Sequence, residues 1–289
     1  TCQIRGNFQI NVLAAILARN KIMLLSKWKE LNLDDREDFL DELRNTKASQ
    51  LNFSIERESL HTNYPRIRLE CEGFDLFFRL IFSHEIGFGL SKECKLRAEK
   101  ISSPLQANIE EMEPYLKKRV AMFAVSELPF SEIHANRIGN YFKSPRSQPA
   151  YLSKHQVDQC LNALNARLPS ELEWEAMVRC GRDRLFPFGN NLIDEEDLSA
   201  WMEYDYDSKM AELENGVKGI FFGEWCSDVF KLSHAENASA ISGSNVIKGG
   251  AAYFWPWQDQ EWVWCMCAMR MPSTDLDEGV AVGRPVFGL

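Results

Sequence analysis

Arg167-Leu168-Pro169-Ser170-Glu171-Leu172-Glu173-Trp174-Glu175 is the stretch on which the reading of this chain turns. Ser170 followed three residues later by Glu173 is a capping box. The serine oxygen can accept from the Glu173 N–H, and the glutamate can reach back to the Ser170 N–H. The helix opened in this way carries Leu172, Trp174 and Met177 and stops at Gly181. Upstream, Lys154 to Ala163 reads as another helix. Downstream come Leu185-Phe186-Pro187-Phe188-Gly189-Asn190, an acidic loop through Asp207, the strand-like aromatic segment Ile220 to Phe230, and a last block from Val246 to Leu289. From about residue 120 the pattern is short helices, long loops, and Trp and Gly as punctuation. The chain shows no internal repeat and no low-complexity segment.

The first third has a different texture. Residues 10 to 48 read as helix, with apolar positions recurring through Ile22, Leu25, Trp28 and Leu31. Asn32-Leu33-Asp34 marks a break. Asp34 is the expected cap of a second helix bearing Phe39, Leu40 and Leu43 on one face, with acids early and Arg44 late. Pro65 to Cys71 alternates apolar and charged residues, Glu72-Gly73 turns the chain, and Phe74 to Phe82 returns, which is a hairpin signal. The polar segment 91 to 120, with Pro104 and Pro114, is expected to hold a helix and a connection. The expected organisation is therefore an N-terminal α+β region over 1–120, helices then hairpin, followed by a second unit over 121–289.

Composition bounds the function. The chain has 289 residues, 45% of them apolar and 26% charged, in the ordinary globular range. Its 42 acids against 33 lysines and arginines give a net charge of -9, a poor balance for neutralising nucleic-acid phosphates. No apolar run reaches the roughly 20 residues that span a bilayer. The sequence opens on Thr1, which points to processing or trimming. The run Val12 to Ala18 faintly matches a signal core, but Arg19, Asn20 and Lys21 follow it with no small-residue cleavage site, so it is read as a buried amphipathic helix. The eight cysteines are scattered, with Cys265 and Cys267 the only close pair. The five histidines do not cluster and there is no Cys-x-x-Cys. These features favour reduced thiols in a cytoplasm and no structural zinc site.

Five segments together carry a family resemblance. Arg167 to Glu175 resembles the RLPTEAEWE segment of the formylglycine-generating enzyme (sulfatase-modifying factor) family. Arg182 to Asn190 resembles its RLFPWGN. Gly223-Glu224-Trp225-Cys226-Ser227-Asp228 resembles a shortened GNVWEWxSD. Val246-Ile247-Lys248-Gly249-Gly250 resembles VxRGGS. Ala268-Met269-Arg270 and Gly283-Arg284 resemble the closing AxR and GFR. The resemblance covers about 121–289 and implies a C-type-lectin-like α+β fold with much irregular structure. Within it, the double Gly would let two backbones approach closely, and Arg270 and Arg284 would be held by carboxylates or carbonyls.

The family's chemistry is not carried over with the scaffold. The resemblance implies two copper-binding cysteines in the segment 251–270, at positions that fall near Trp257 and Trp262, and neither is Cys. Copper is therefore not expected, although soft thiolates would suit Cu(I). Cys267 matches a non-catalytic cysteine of the family. If Cys265 and Cys267 lie in a strand, both sulfurs face one side and could hold a soft metal, whereas the plainer reading is two small buried residues. The iron-dependent branch of the family needs a His-x-x-x-His-x-Glu motif that is absent here. A retroelement-diversified branch varies asparagine-type codons, which cannot become the Trp, Gln and Glu found in this segment. The resemblance further implies a structural calcium through Glu224 and Asn215. The acids Asp194 to Asp197, Asp205 and Asp207 are read as a solvated loop.

Trp255, Trp257, Trp262 and Trp264 lie within ten residues, in the part of the fold that the family uses for binding. On two strands, Trp255 would share a face with Trp257, and Trp262 with Trp264. Core packing is one reading and an aromatic recognition surface the other. The expected function is a non-catalytic binding or adaptor protein that engages a protein or peptide through this Trp-rich segment, with no required cofactor. The alternatives are a thiol- and metal-dependent oxidase with its site relocated to Cys265 and Cys267, and a structural subunit of a larger assembly.

Overall fold

The computed structural model describes residues 23–47, 53–71, 73–105, 108–202, 210–250, 261–274 and 279–289. The fold is α+β, with seven α-helices and three antiparallel sheets among these residues. The N-terminal helices are α1 (Leu25–Glu30) and α2 (Leu33–Lys47). The cap of α2 is Asn32 and not Asp34: the Asp35 N–H donates to Asn32 Oδ1 at 2.8 Å. Asp34 already lies inside the first turn, where its charge favours the helix dipole. Trp28 is fully buried and stacks on Phe82 at 4.6 Å, which fixes this helical pair to the sheet beneath it.

The hairpin forms as its alternation predicts. Strand β1 (Phe53–Ile55) pairs with β2 (Arg66–Cys71), which turns into β3 (Phe74–Ile81) with Cys71 opposite Phe74. Ile67, Leu69, Leu76, Phe78 and Leu80 face inward. On its other edge β3 pairs with β6 (Phe123–Ser126), and β6 with β10 (Val286–Gly288). One five-stranded sheet, ordered β1-β2-β3-β6-β10, therefore runs across residue 120 and includes the chain's last strand.

The segment 84–120 holds more than a helix. Strands β4 (His84–Phe88) and β5 (Leu116–Val120) form a two-stranded ribbon around α3 (Lys92–Ile101). The second half supplies α4 (Glu132–Gly139), α5 (Lys154–Ala163, the span expected) and α6 (Glu171–Arg179). The acidic stretch read as a loop contains α7 (Glu195–Met202), whose three leading acids sit at its N-terminal dipole end. A third sheet, β7 (Glu224–Lys231), β8 (Ala240–Lys248) and β9 (Met271–Thr274), closes the molecule.

The double Gly does what the sequence suggests. Gly249 has φ +71°, and a Cβ there would sit 2.2 Å from the Ile220 carbonyl oxygen and 3.0 Å from the Trp174 ring. That close approach seats β8 against α6. No helix among the described residues is long and apolar enough to cross a membrane.

Candidate functional site

The centre of the molecule is a buried charge network built on α6. Glu171, Glu175 and Arg179 stand at i, i+4 and i+8, so all three project from one face of the helix. Ser170 anchors its start. Glu173 N–H donates to the Ser170 hydroxyl at 3.2 Å, and Ser170 N–H donates to Glu173 Oε2 at 2.8 Å. Asp228 on β7 accepts another free helix-terminal N–H, that of Glu171, at 2.7 Å. The helix ends at Cys180 in a left-handed conformation, followed by Gly181 at φ +74°.

Each charge in the network has partners. Glu175, 0% exposed, accepts from Lys248 Nζ at 3.0 Å, Arg179 Nε at 2.9 Å and the Gly89 N–H at 3.0 Å. Arg179 donates in turn to the carbonyls of Gly89 and Arg184. Glu171 meets Arg270 Nε at 2.9 Å, with His234 Nε2 at 3.4 Å and Lys248 Nζ at 3.9 Å. Arg270 also lies 4.6 Å over Phe230, and His234 stacks on Phe88 at 4.1 Å. Burial alone would raise both carboxyls. For Glu171 the His234 hydrogen bond and the Lys248 and Arg270 charges outweigh it. For Glu175 the Lys248 and Arg179 charges do so, and the carboxyl is held at about 2. Among the described residues, Glu171, Glu175 and His234 are the one group with metal-type donors in mutual reach. The space between the two carboxylates is taken by Lys248, so the positive charge is supplied by the chain itself.

Near this network is an open cleft of about 650 Å³, with Leu90, Pro114 and Tyr115 as its apolar lining and Lys92, Lys95, Glu110, Glu113 and Ser233 as its polar lining. Residues in or next to this lining are tied to the network. Gly89 binds Glu175 and Arg179 through both backbone groups, Leu90 N–H donates to the Met112 carbonyl at 2.9 Å, and His234 N–H donates to the Glu113 carbonyl at 2.8 Å.

The residues singled out from the sequence are dispersed. Trp255 and Trp257 lie outside the described residues. Trp262 is buried and meets the Phe186 ring edge-on at 5.8 Å, while Trp264 is only partly buried beside the same core. The strand expected there is a 3-10 helix over Glu261–Cys265, because the segment packs as a plug against Phe186 and not as an edge of a sheet. Alternation therefore does not place Trp262 and Trp264 on one face. For the same reason Cys265 and Cys267 are not strand neighbours. Both are buried, and burial pushes Cys265 well above the ordinary thiol value and Cys267 up to about 12. Metal binding requires thiolates, and no third His, Cys, Asp or Glu joins this pair among the described residues.

Asn215 and Glu224, the residues of the calcium expectation, have other partners. Asn215 Nδ2 donates to the Met177 carbonyl at 2.8 Å and its Oδ1 accepts from the Val217 N–H. Both Glu224 oxygens accept from Arg284 at 2.8 Å. Arg284, 0% exposed, spends its remaining donors on the carbonyls of Ser126, Glu127, Lys218 and Gly219. The expectation that Arg270 and Arg284 are held by carboxylates and carbonyls is met. Sequence reasoning missed Glu171, Glu175, Arg179, His234 and Lys248 as one cluster. The i, i+4, i+8 spacing of charge on an otherwise core-facing helix was the available signal.

Comparison with known proteins gives fold and little else. No family model matches this chain, and no curated protein matches it. Among solved structures it is similar to Treponema denticola variable protein 1, with a TM-score of 0.56 and 12% identity, over 78% of this chain and 99% of that one. At that identity the likeness is one of fold.

Proposed function

We propose that this chain is a non-catalytic binding or adaptor protein on a formylglycine-generating-enzyme-like, C-type-lectin-like scaffold, engaging a protein or peptide through the Trp-rich segment around Trp255 to Trp264. One observation carries the reading. The chemically capable groups in its centre are already consumed by one another: Glu171 and Glu175 by Lys248, Arg179 and Arg270, and Glu224 by Arg284. Cys265 and Cys267 are sealed as thiols. Among the described residues of this segment, Trp264 is partly exposed beside the buried anchor Trp262. That arrangement suits a hot spot, where an aromatic side chain on a rigid base carries most of the affinity. The free state of all seven described cysteines supports a reducing, cytoplasmic setting.

The test has two arms on the full chain. Selection from a random peptide display library should yield a consensus whose binding, read by fluorescence anisotropy, falls at least about tenfold in Trp264→Ala and is unchanged in Cys265→Ser. A Cu(I) titration against a chromophoric chelator is the second arm. Tight one-to-one binding abolished by Cys265→Ser, with oxygen-dependent oxidation of a thiol peptide, would overturn the binding reading in favour of a relocated oxidase site.

A further inference from the structure

The cleft near the charge network is a site that the Trp-rich surface does not explain. It is a shallow, open cleft of about 650 Å³. Two of its four charged groups are paired: Lys95 Nζ meets Glu113 at 3.2 Å and so joins α3 to the segment that leads into β5. The other two, Lys92 and Glu110, form no ion pair with any described residue, although they line the same cleft. Leu90, Pro114 and the Tyr115 ring give the apolar body of the site. The Tyr115 hydroxyl has no hydrogen-bond partner among the described residues, and its ring lies where a side chain at Gly87 would otherwise stand.

We propose that this cleft binds a small zwitterion with an apolar body, an α-amino acid with an apolar side chain being the simplest member of that class. The lining carries two lysines and two glutamates, so its formal charge is zero. A lone anion would meet Glu110 as well as Lys92, and a lone cation the reverse. A ligand with separated opposite charges satisfies both, its carboxylate at Lys92 and its ammonium at Glu110, with its body against Leu90 and Tyr115. Neither residue gives up an existing partner on binding, so no desolvated ion pair has to be broken first. Leu90 in the lining is held by the bond from its N–H to the Met112 carbonyl, and its neighbour Gly89 by Glu175 and Arg179. A lining residue already held in place lowers the ordering cost of capture. No described residue of the Trp-rich segment lines the site, and the site's failure would leave the peptide-binding reading untouched.

Isothermal titration of the full chain with L-phenylalanine, N-acetyl-L-phenylalanine and L-phenylalaninamide tests it. L-phenylalanine should bind saturably at millimolar or tighter Kd, and each blocked derivative at least about tenfold more weakly. Lys92 and Glu110 are exposed, so Lys92→Met and Glu110→Gln should fold as the parent does. Lys92→Met should weaken L-phenylalanine and leave the amide, which has no carboxylate, unchanged. Glu110→Gln should weaken L-phenylalanine and leave the N-acetyl derivative unchanged. Equal binding of blocked and free forms, indifference to both substitutions, or no saturable heat up to about 20 mM would each overturn the assignment.

Discussion

Glu175→Gln is the sharpest perturbation of the central network, because it removes one charge and almost no volume. The carboxylate has no solvent access and contacts two cations, at 3.0 Å and 2.9 Å. At an effective dielectric near 20, each contact is a gross attraction of about 5 kcal/mol. Most of that gross figure is spent on desolvation in the native protein. The loss on substitution is instead set by the cations left behind: Lys248 and Arg270 would share Glu171, and Arg179 would keep only the Asp183 carboxylate, at 3.5 Å. Breaking a buried pair in this way costs about 3–5 kcal/mol. Lys248, 1% exposed, carries most of this excess, because it sits between the two carboxylates. The assay is urea denaturation of the full chain at pH 7, for Glu175→Gln, Lys248→Met and the double variant. The double variant should be more stable than Glu175→Gln alone, a coupling of at least about 1 kcal/mol in a double-mutant cycle. Additive effects, or a Glu175→Gln loss under about 1 kcal/mol at pH 7, would refute the claim that these charges hold one another.

Two further outcomes follow from local geometry. Ser170→Ala removes the acceptor for the Glu173 N–H and one side of the capping box, and should cost about 0.5–2 kcal/mol in a urea titration, with α6 otherwise intact. His134 is buried against Phe74 and its value is pushed down to about 4 by that burial. The unfolded chain therefore takes up its proton first, and stability contributed by the neutral ring is lost as pH falls from about 6.5 to about 4, by about 3 kcal/mol. His134→Gln should flatten the pH–stability curve in that window, and an unchanged slope would assign it to another group.

The elements that could be read from the sequence are those with local grammar. The hairpin Arg66–Ile81, the helix Lys154–Ala163 and the capped helix after Ser170 each follow from a periodicity or a cap that lies within a few residues. The elements that were missed depend on partners far away in the chain. Strand β5 exists because β4 lies beside it, and its Leu-Lys-Lys-Arg-Val sequence has too few apolar positions to announce a strand. The pairing of β6 with β10 joins residues about 160 apart, and nothing local signals it. The charge network was hidden for the same reason. Its five ionised members come from α6, the end of β8 and the turn before β9, and each alone looks like an ordinary surface charge. Arg270 and Arg284 were foreseen because the resemblance drew attention to them. Their carboxylate partners differ, Glu171 for one and Glu224 for the other, and only the folded chain distinguishes them.

The two buried carboxylate sites share a design that bears on what this fold can do. At Glu224 the guanidinium of Arg284 covers both oxygens and then binds four carbonyls from two separate segments, 126–127 and 218–219. At Glu171 and Glu175 the ammonium of Lys248 sits between the carboxylates. In each place a covalently attached cation does the crosslinking that a bound divalent ion does in loop-rich proteins. A fixed cation of this kind is present whenever the chain is folded, needs no ion from solution and leaves no open coordination position for chemistry. It also makes the irregular half of the molecule rigid, because arginine's planar fork locks several backbone segments in one geometry. A scaffold fixed from inside in this way can hold a surface segment or a shallow cleft in one shape without devoting that surface to stability. That is the physical requirement for recognition, and among the described residues the cleft beside α3 and the partly exposed Trp264 lie outside a core whose charges are engaged with one another.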